Sequence, residues 1–163
     1  MNAISPAAAA VRHPTIRPAL EADLPDVYHL LVMGHSETKP LSLSQPKLVT
    51  ALADVFERGL ILVTEQAGQV VGTAALVGDC PWYSDEIVLN GMWLFVHPQH
   101  RRSPHARMLL EAMRACATEA RLPLYVEFMA RPGEQARVAG KRRLFERVFG
   151  EPTGMSFYIP AKG

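Results

Sequence analysis

Cysteine is scarce in this 163-residue chain: Cys80 and Cys116 are the only two. Two thiols cannot build the multi-bridge framework of a small secreted domain, and Cys116 falls on the apolar face of a helical pattern, so both are expected to stay reduced. Excess charge is lacking too, since 17 Lys and Arg against 16 Asp and Glu leave a net +1. That balance gives no overall field for gripping nucleic acid. What positive charge there is gathers locally, at residues 97 to 107 and 131 to 147, which suits a small anionic ligand better than a long polyanion. No apolar run is long enough to span a bilayer, and Ala7 to Val11 is too short, with no basic residue ahead of it, for a secretion signal. The expectation is a cytoplasmic protein with no membrane contact, residues 1–14 a loose tail and residues 15–163 one domain. No P-loop, serine elbow or Cys–His arrangement is present. His97, His100 and His105 lack carboxylate or thiolate partners at ligand spacing, and the arginines among them repel a cation, so no metal is expected.

What is there centres on Met92 to Ala120. An apolar run, Met92 to Val96, has strand length and stops at His97-Pro98; a loop dense in Arg and His follows. A helical pattern then begins, with Leu109, Ala112, Met113, Cys116 and Ala120 on one face and Arg107, Glu111, Arg114, Thr118 and Glu119 on the other. Ser103 is the expected N-cap and Pro104 the first helical residue, where a missing N–H costs least. First-turn N–H groups at the positive end of a helix make a phosphate site when they face a cleft, and Arg101, Arg102, His105 and Arg107 would strengthen it. A solvated connector is the alternative reading of the same loop.

From Val96 to Leu110 the chain resembles the acetyl-CoA signature of the GNAT N-acetyltransferase superfamily: a strand ending in Val-x-Pro, then Arg/Gln-x-x-Gly-x-Gly/Ala, then a helix with a leucine pair. Arg101 stands at the first motif position, Ala106 at the last, and Leu109-Leu110 match the helix, while Pro104 takes the place of the middle glycine and cannot donate an N–H. The resemblance implies a mixed central sheet of about six or seven strands with about four helices, parallel strands that part at the cofactor site, and acetyl-CoA as acyl donor. It places Leu94, Phe95, Val96, Arg101, Arg102, Ser103, His105, Ala106 and Arg107 against the cofactor. It also implies transfer of the acetyl group to an amine of a small molecule or peptide, and a homodimer is compatible with it.

The remaining elements follow the same order. Thr15 to Arg17 reads as a strand, and Asp23-Leu24-Pro25 opens a helix with Asp23 as N-cap and Leu20, Leu24, Val27 and Leu31 inward. Gly34 to Pro40 reads as a break. A second helix runs from Ser44 to Arg58-Gly59 with Leu48, Leu52, Val55 and Phe56 inward. Leu60 to Thr64 and Gln69 to Val77 form a hairpin through Ala67-Gly68, and Glu86 to Val96 is apolar on both faces, as a central strand is. Leu122 to Met129 reads as a strand ended by Arg131-Pro132-Gly133, Lys141 to Phe149 as a short helix and Met155 to Ile159 as a last strand. Trp82 and Tyr83 fall in a loop, where they either line an acceptor pocket or fold back on the core; Trp93 is a third acceptor candidate.

Acetyl transfer to a protonated amine needs a proton acceptor, and the thiolate that leaves benefits from an acid. Leu124-Tyr125-Val126-Glu127-Phe128 resembles the Leu-x-Leu-Glu-Val strand of the branch that acetylates ribosomal-protein N-termini, which singles out Glu127 as base. A carboxylate in an apolar strand is either a tuned base or a structural partner for an arginine. Glu86 is a poorer candidate, lying too far along its strand from Val96. The family's thiol-protonating tyrosine corresponds to Phe145, which has no proton to give, leaving Tyr158 and Tyr83 as substitutes. Pro104 and Phe145 together favour the second reading, a GNAT-fold module that binds CoA or a protein without catalysis.

Overall fold

The computed structural model describes residues 13–38, 41–128 and 134–154. Strand β1 (Thr15–Pro18) is followed by helices α1 (Leu24–Thr38) and α2 (Gln45–Arg58), then strands β2 (Leu60–Gln66), β3 (Gln69–Asp79) and β4 (Val88–Val96). Helix α3 (His105–Ala120), strand β5 (Leu124–Tyr125) and helix α4 (Gln135–Phe149) complete the described chain. The five strands form one sheet in the order β1-β2-β3-β4-β5, antiparallel except for the parallel β4–β5 pair. A mixed sheet with four α-helices is the expected class. The described residues hold five strands where about six or seven were expected, and the expected last strand, Met155 to Ile159 with Tyr158, lies outside them.

Side-chain alternation sorts the helices to the two faces of the sheet. Leu62, Ala74, Leu76 and Val96 point to one face and are covered by Leu109, Leu110 and Met113 of α3 and Val148 of α4. On the other face Ile61, Val63 and Ala75 meet Val27 of α1 and Leu52 and Val55 of α2. Strand β3 is thus apolar on both sides. Leu109, Leu110 and Met113 are fully buried, so truncating one to alanine would cost about 2–5 kcal/mol. Ala120, expected on this core face, is exposed at the helix end. The β2–β3 hairpin turns on Ala67 and Gly68, both at positive φ (54° and 82°), the pairing a two-residue hairpin loop requires.

Several boundaries differ from those expected. Helix α1 runs through Gly34 to Thr38 instead of breaking there, because α1 crosses β4 at this residue: a Cβ on Gly34 would lie 2.7 Å from the Phe95 ring. A glycine read as a helix breaker is a packing glycine. Asp23 does not cap α1 but closes a preceding 3₁₀ turn (Glu21–Asp23), accepting the Leu20 N–H at 2.7 Å and an Arg17 ion pair at 2.6 Å. That leaves Leu20 exposed rather than in the core. Helix α4 starts six residues before Lys141, and β5 is two residues long where a longer strand was expected. No helix among the described residues is long and apolar enough to cross a membrane.

Candidate active site

The parallel pair carries the site. Strands β4 and β5 are paired only at Leu89–Leu124 and Asn90–Tyr125. Just beyond, the register of β4 against β3 slips between Trp93 and Gly91, which makes Met92 a bulged residue. A bulge bends its strand and raises the local twist, so β4 swings away from β5 and the two part. From Gly91 to Val96 the β5-side edge of β4 has no strand partner among the described residues. The N–H of His97 turns inward to Val71 (2.8 Å), so by alternation the N–H groups of Val96 and Leu94 face the opening.

At the far end of β4, Pro98–His100 forms a 3₁₀ turn and α3 begins. Proline 104 is the N-cap here and His105 the first helical residue, one position later than expected. The Ser103 hydroxyl hydrogen-bonds back to the His100 carbonyl, so it closes the turn before the helix rather than capping the helix. The first intrahelical bond is Met108 N–H to Pro104 O at 2.9 Å. The N–H groups of Arg102, His105, Ala106 and Arg107 therefore have no backbone acceptor among the described residues.

The charged side chains divide in two. Arg102 is exposed and makes no ion pair among the described residues, and Arg107, also exposed, holds Glu111 at 2.7 Å. Arg101 lies over the Phe95 ring, 5.4 Å from its centre, and pairs with Glu37 at the end of α1 (2.5 Å), which Arg137 of α4 approaches at 3.8 Å. Burial and the neighbouring Arg137 and Arg101 push the half-buried Lys141 ammonium below its usual range, with Glu134 and Glu37 opposing. Glu37, Arg137 and Lys141 were not legible as site residues, because only the fold brings α1 and α4 to this loop.

His105 departs from its expected role as an added cation. Its ring is fully buried, neither ring nitrogen has a hydrogen-bond partner among the described residues, and burial followed by His100 lowers its pKa, so it is neutral. Only its backbone N–H serves the loop. Among the described residues no group of three His, Cys, Asp or Glu could hold a metal ion.

On the other side of the parting point stand the acceptor candidates. Leu89, Leu124 and Val126 pack toward α3, and Phe128 meets Phe145 of α4 with ring centres 5.0 Å apart. Asn90, Tyr125 and Glu127 consequently face the α1–α2 side. Glu127 is exposed rather than enclosed in an apolar strand, and it makes no ion pair among the described residues. Trp82 and Tyr83 do not fold back on the core: they are 95% and 66% exposed. Trp93 does pack on the α1–α2 core and donates its indole N–H to Thr73 (3.2 Å). Glu86 lies exposed in the loop before β4. Phe145 sits between the rings of Phe128 and Phe149 and packs against the core under α3.

A bulged strand parts here from its parallel neighbour and leads into a helix whose first N–H groups have no backbone acceptor among the described residues, in a mixed sheet covered by helices on both faces. Residues 57–148, more than half of the chain, match the acetyltransferase (GNAT) domain family, and the chain belongs to that family of acetyltransferases. None of the curated proteins matches it. Among solved structures it is similar to an aminoglycoside acetyltransferase from an uncultured soil metagenomic sample in complex with trehalose (TM-score 0.63, 19% identity, covering 91% of this chain and 97% of that one). It is similar also to AAC(6')-Iy in complex with the bisubstrate analogue CoA-S-monomethyl-acetylneamine (TM-score 0.69, 14% identity, 93% and 100% covered). A third is the ribosomal-protein-alanine N-acetyltransferase of Brucella melitensis biovar Abortus 2308 (TM-score 0.67, 16% identity, 93% and 100% covered). At these identities the likeness is one of fold.

Proposed function

We propose that the protein transfers an acetyl group from acetyl-CoA to a primary amine of a small molecule or peptide, in a cytoplasmic setting. The observation that carries this reading is the parting of β4 from β5 at Met92, in line with the N–H groups of residues 102 and 105–107, which have no backbone acceptor among the described residues. Those N–H groups, the Arg102 and Arg107 side chains and Arg101 fit a pyrophosphate, and Pro104 removes one donor from that cradle without removing its neighbours. The Leu94 and Val96 N–H groups line the opening as donors for the carbonyl of a thioester, an arrangement that stabilises developing negative charge. When bound, the cofactor supplies an activated acetyl group and a thiolate leaving group. Glu127, exposed and facing the acceptor side, is the side chain we assign to take the amine proton, directly or through water.

Acetyl-CoA titrated into the protein should raise its stability by about 2.7 kcal/mol once it reaches a hundred times its dissociation constant. Thiol release over a panel of amines should then identify an acceptor. No thermal shift at millimolar acetyl-CoA would overturn the donor assignment. Binding without turnover on any amine would support the non-catalytic module that Phe145 allows.

A further inference from the structure

Beside the paired stretch of β4 and β5 there is a cavity of about 200 Å³, with Asp79, Tyr83, Val88, Asn90 and Tyr125 in its wall. Asn90 and Tyr125 are the last paired residues of the two strands, so the cavity lies next to the point beyond which they part. Two tyrosine rings stand in its wall beside one carboxylate, and no lysine, arginine or histidine is among its lining residues. The Tyr83 and Tyr125 side chains share this wall, and the neighbouring Tyr125 pushes the Tyr83 phenol above its usual range; Trp82 packs edge-on against Tyr83 with ring centres 5.4 Å apart while standing almost wholly in solvent. Aromatic faces and a carboxylate around one small space are the usual components of a site for an organic cation.

Charge has the same sign over a wider area. From Gly59 to His100 there is not one lysine or arginine, whereas Asp79, Asp85 and Glu86 crowd the loop that carries Trp82 and Tyr83. Glu127 lies two residues beyond Tyr125 on the same face. One carboxylate in the cavity wall would suffice for a single ammonium. The further carboxylates around the rim give additional ammonium groups of the same molecule somewhere to go, and a peptide with one terminal amine would leave them unused.

Resting on the acetyl-transfer reading above, we infer that the acceptor is a multiply charged organic amine, held with one ammonium in the Asp79–Tyr83–Tyr125 cavity and others on the Asp85, Glu86 and Glu127 rim. Binding is measured without acetyl-CoA, so that it does not depend on turnover. The probe is spermidine, with tri-alanine amide as the single-amine comparison, and the signal is tryptophan fluorescence, assigned to Trp82 by its loss in Trp82→Phe. Spermidine should quench saturably and more weakly at high salt. Asp79→Asn, which keeps an oxygen for the Cys80 N–H that Asp79 accepts at 2.8 Å, should weaken binding by about tenfold or more. Tyr125→Ala should also weaken it, and tri-alanine amide should bind less tightly than spermidine.

The inference is overturned if spermidine gives no saturable response at millimolar concentration, if Asp79→Asn and Tyr125→Ala leave it unchanged, or if tri-alanine amide binds more tightly. Its failure and that of acetyl transfer are separable. Acetyl-CoA binding with acetylation of tri-alanine amide alone would retain the transferase and remove the polyamine site. Spermidine binding with no response to acetyl-CoA would do the reverse.

Discussion

Glu127 is the residue on which catalysis turns, and its exposure changes how a substitution there should be read. Had it been a buried ion pair, Glu127→Gln would cost about 3–5 kcal/mol of stability. Exposed and without an ion pair among the described residues, it should leave the melting temperature nearly unchanged. If it takes the amine proton, turnover falls by about 10²- to 10⁴-fold and the loss shrinks as pH rises, since more of the amine arrives neutral. Turnover against pH in the Gln variant decides it, and full activity would remove Glu127 from the mechanism. His105 behaves in the opposite way, through stability. Unfolded, its imidazole takes a proton near pH 6.5; folded, burial and His100 hold that event to lower pH. Below about pH 6.5 the unfolded chain thus binds a proton that the folded chain refuses, so stability is intact above that pH and is lost as pH falls through the folded pKa. His105→Leu, which removes a buried ring with no hydrogen-bond partner among the described residues, should flatten the fall in melting temperature between pH 7 and 5 without destabilising the protein at pH 8.

At the scale of elements, glycines separate what the sequence shows from what it hides. The hairpin at Ala67-Gly68, the ending of α2 at Gly59 and the apolar face of α3 were legible, because each depends on local turn chemistry or a helical period. Gly34 was not: its role is set by Phe95, a contact across the fold. The Met92 bulge was likewise hidden, since β4 is apolar on both faces and no alternation marks an extra residue. Family resemblance, rather than periodicity, is what placed an opening there. The Gly34 contact is testable. Gly34→Ala drives a methyl into the Phe95 ring at 2.7 Å and should cost about 1–3 kcal/mol. For Gly91→Ala the nearest atoms are the flexible end of Met113 at 3.0 Å and the Val126 methyls at 3.3 Å, and it should cost less. Because Phe95 also lies under Arg101, Gly34→Ala should weaken acetyl-CoA binding as well, whereas equal melting temperatures for the two variants would show that α1 can slide on β4.

Over the whole molecule, one carboxylate ties three distant segments together. Glu37 ends α1, Arg101 belongs to the loop before α3 and Arg137 to the first turn of α4, and all three meet at one corner of the strand opening. In the protein alone this contact is favourable, since it offsets the repulsion among Arg101, Arg137 and Lys141. A pyrophosphate arriving at the loop asks for the same arginine. Glu37→Gln should therefore change two measurements in opposite directions. The free protein should melt slightly lower, because a partly exposed pair contributes about 0.2–1 kcal/mol. Acetyl-CoA should bind about two- to fivefold more tightly, because Arg101 no longer has to leave a carboxylate. Raising ionic strength should narrow the affinity difference, since both the ion pair and the phosphate contact are screened. Calorimetric titration of both proteins at low and high salt provides the check. Weaker binding in the variant would mean that Glu37 orients Arg101 toward the phosphates rather than competing with them.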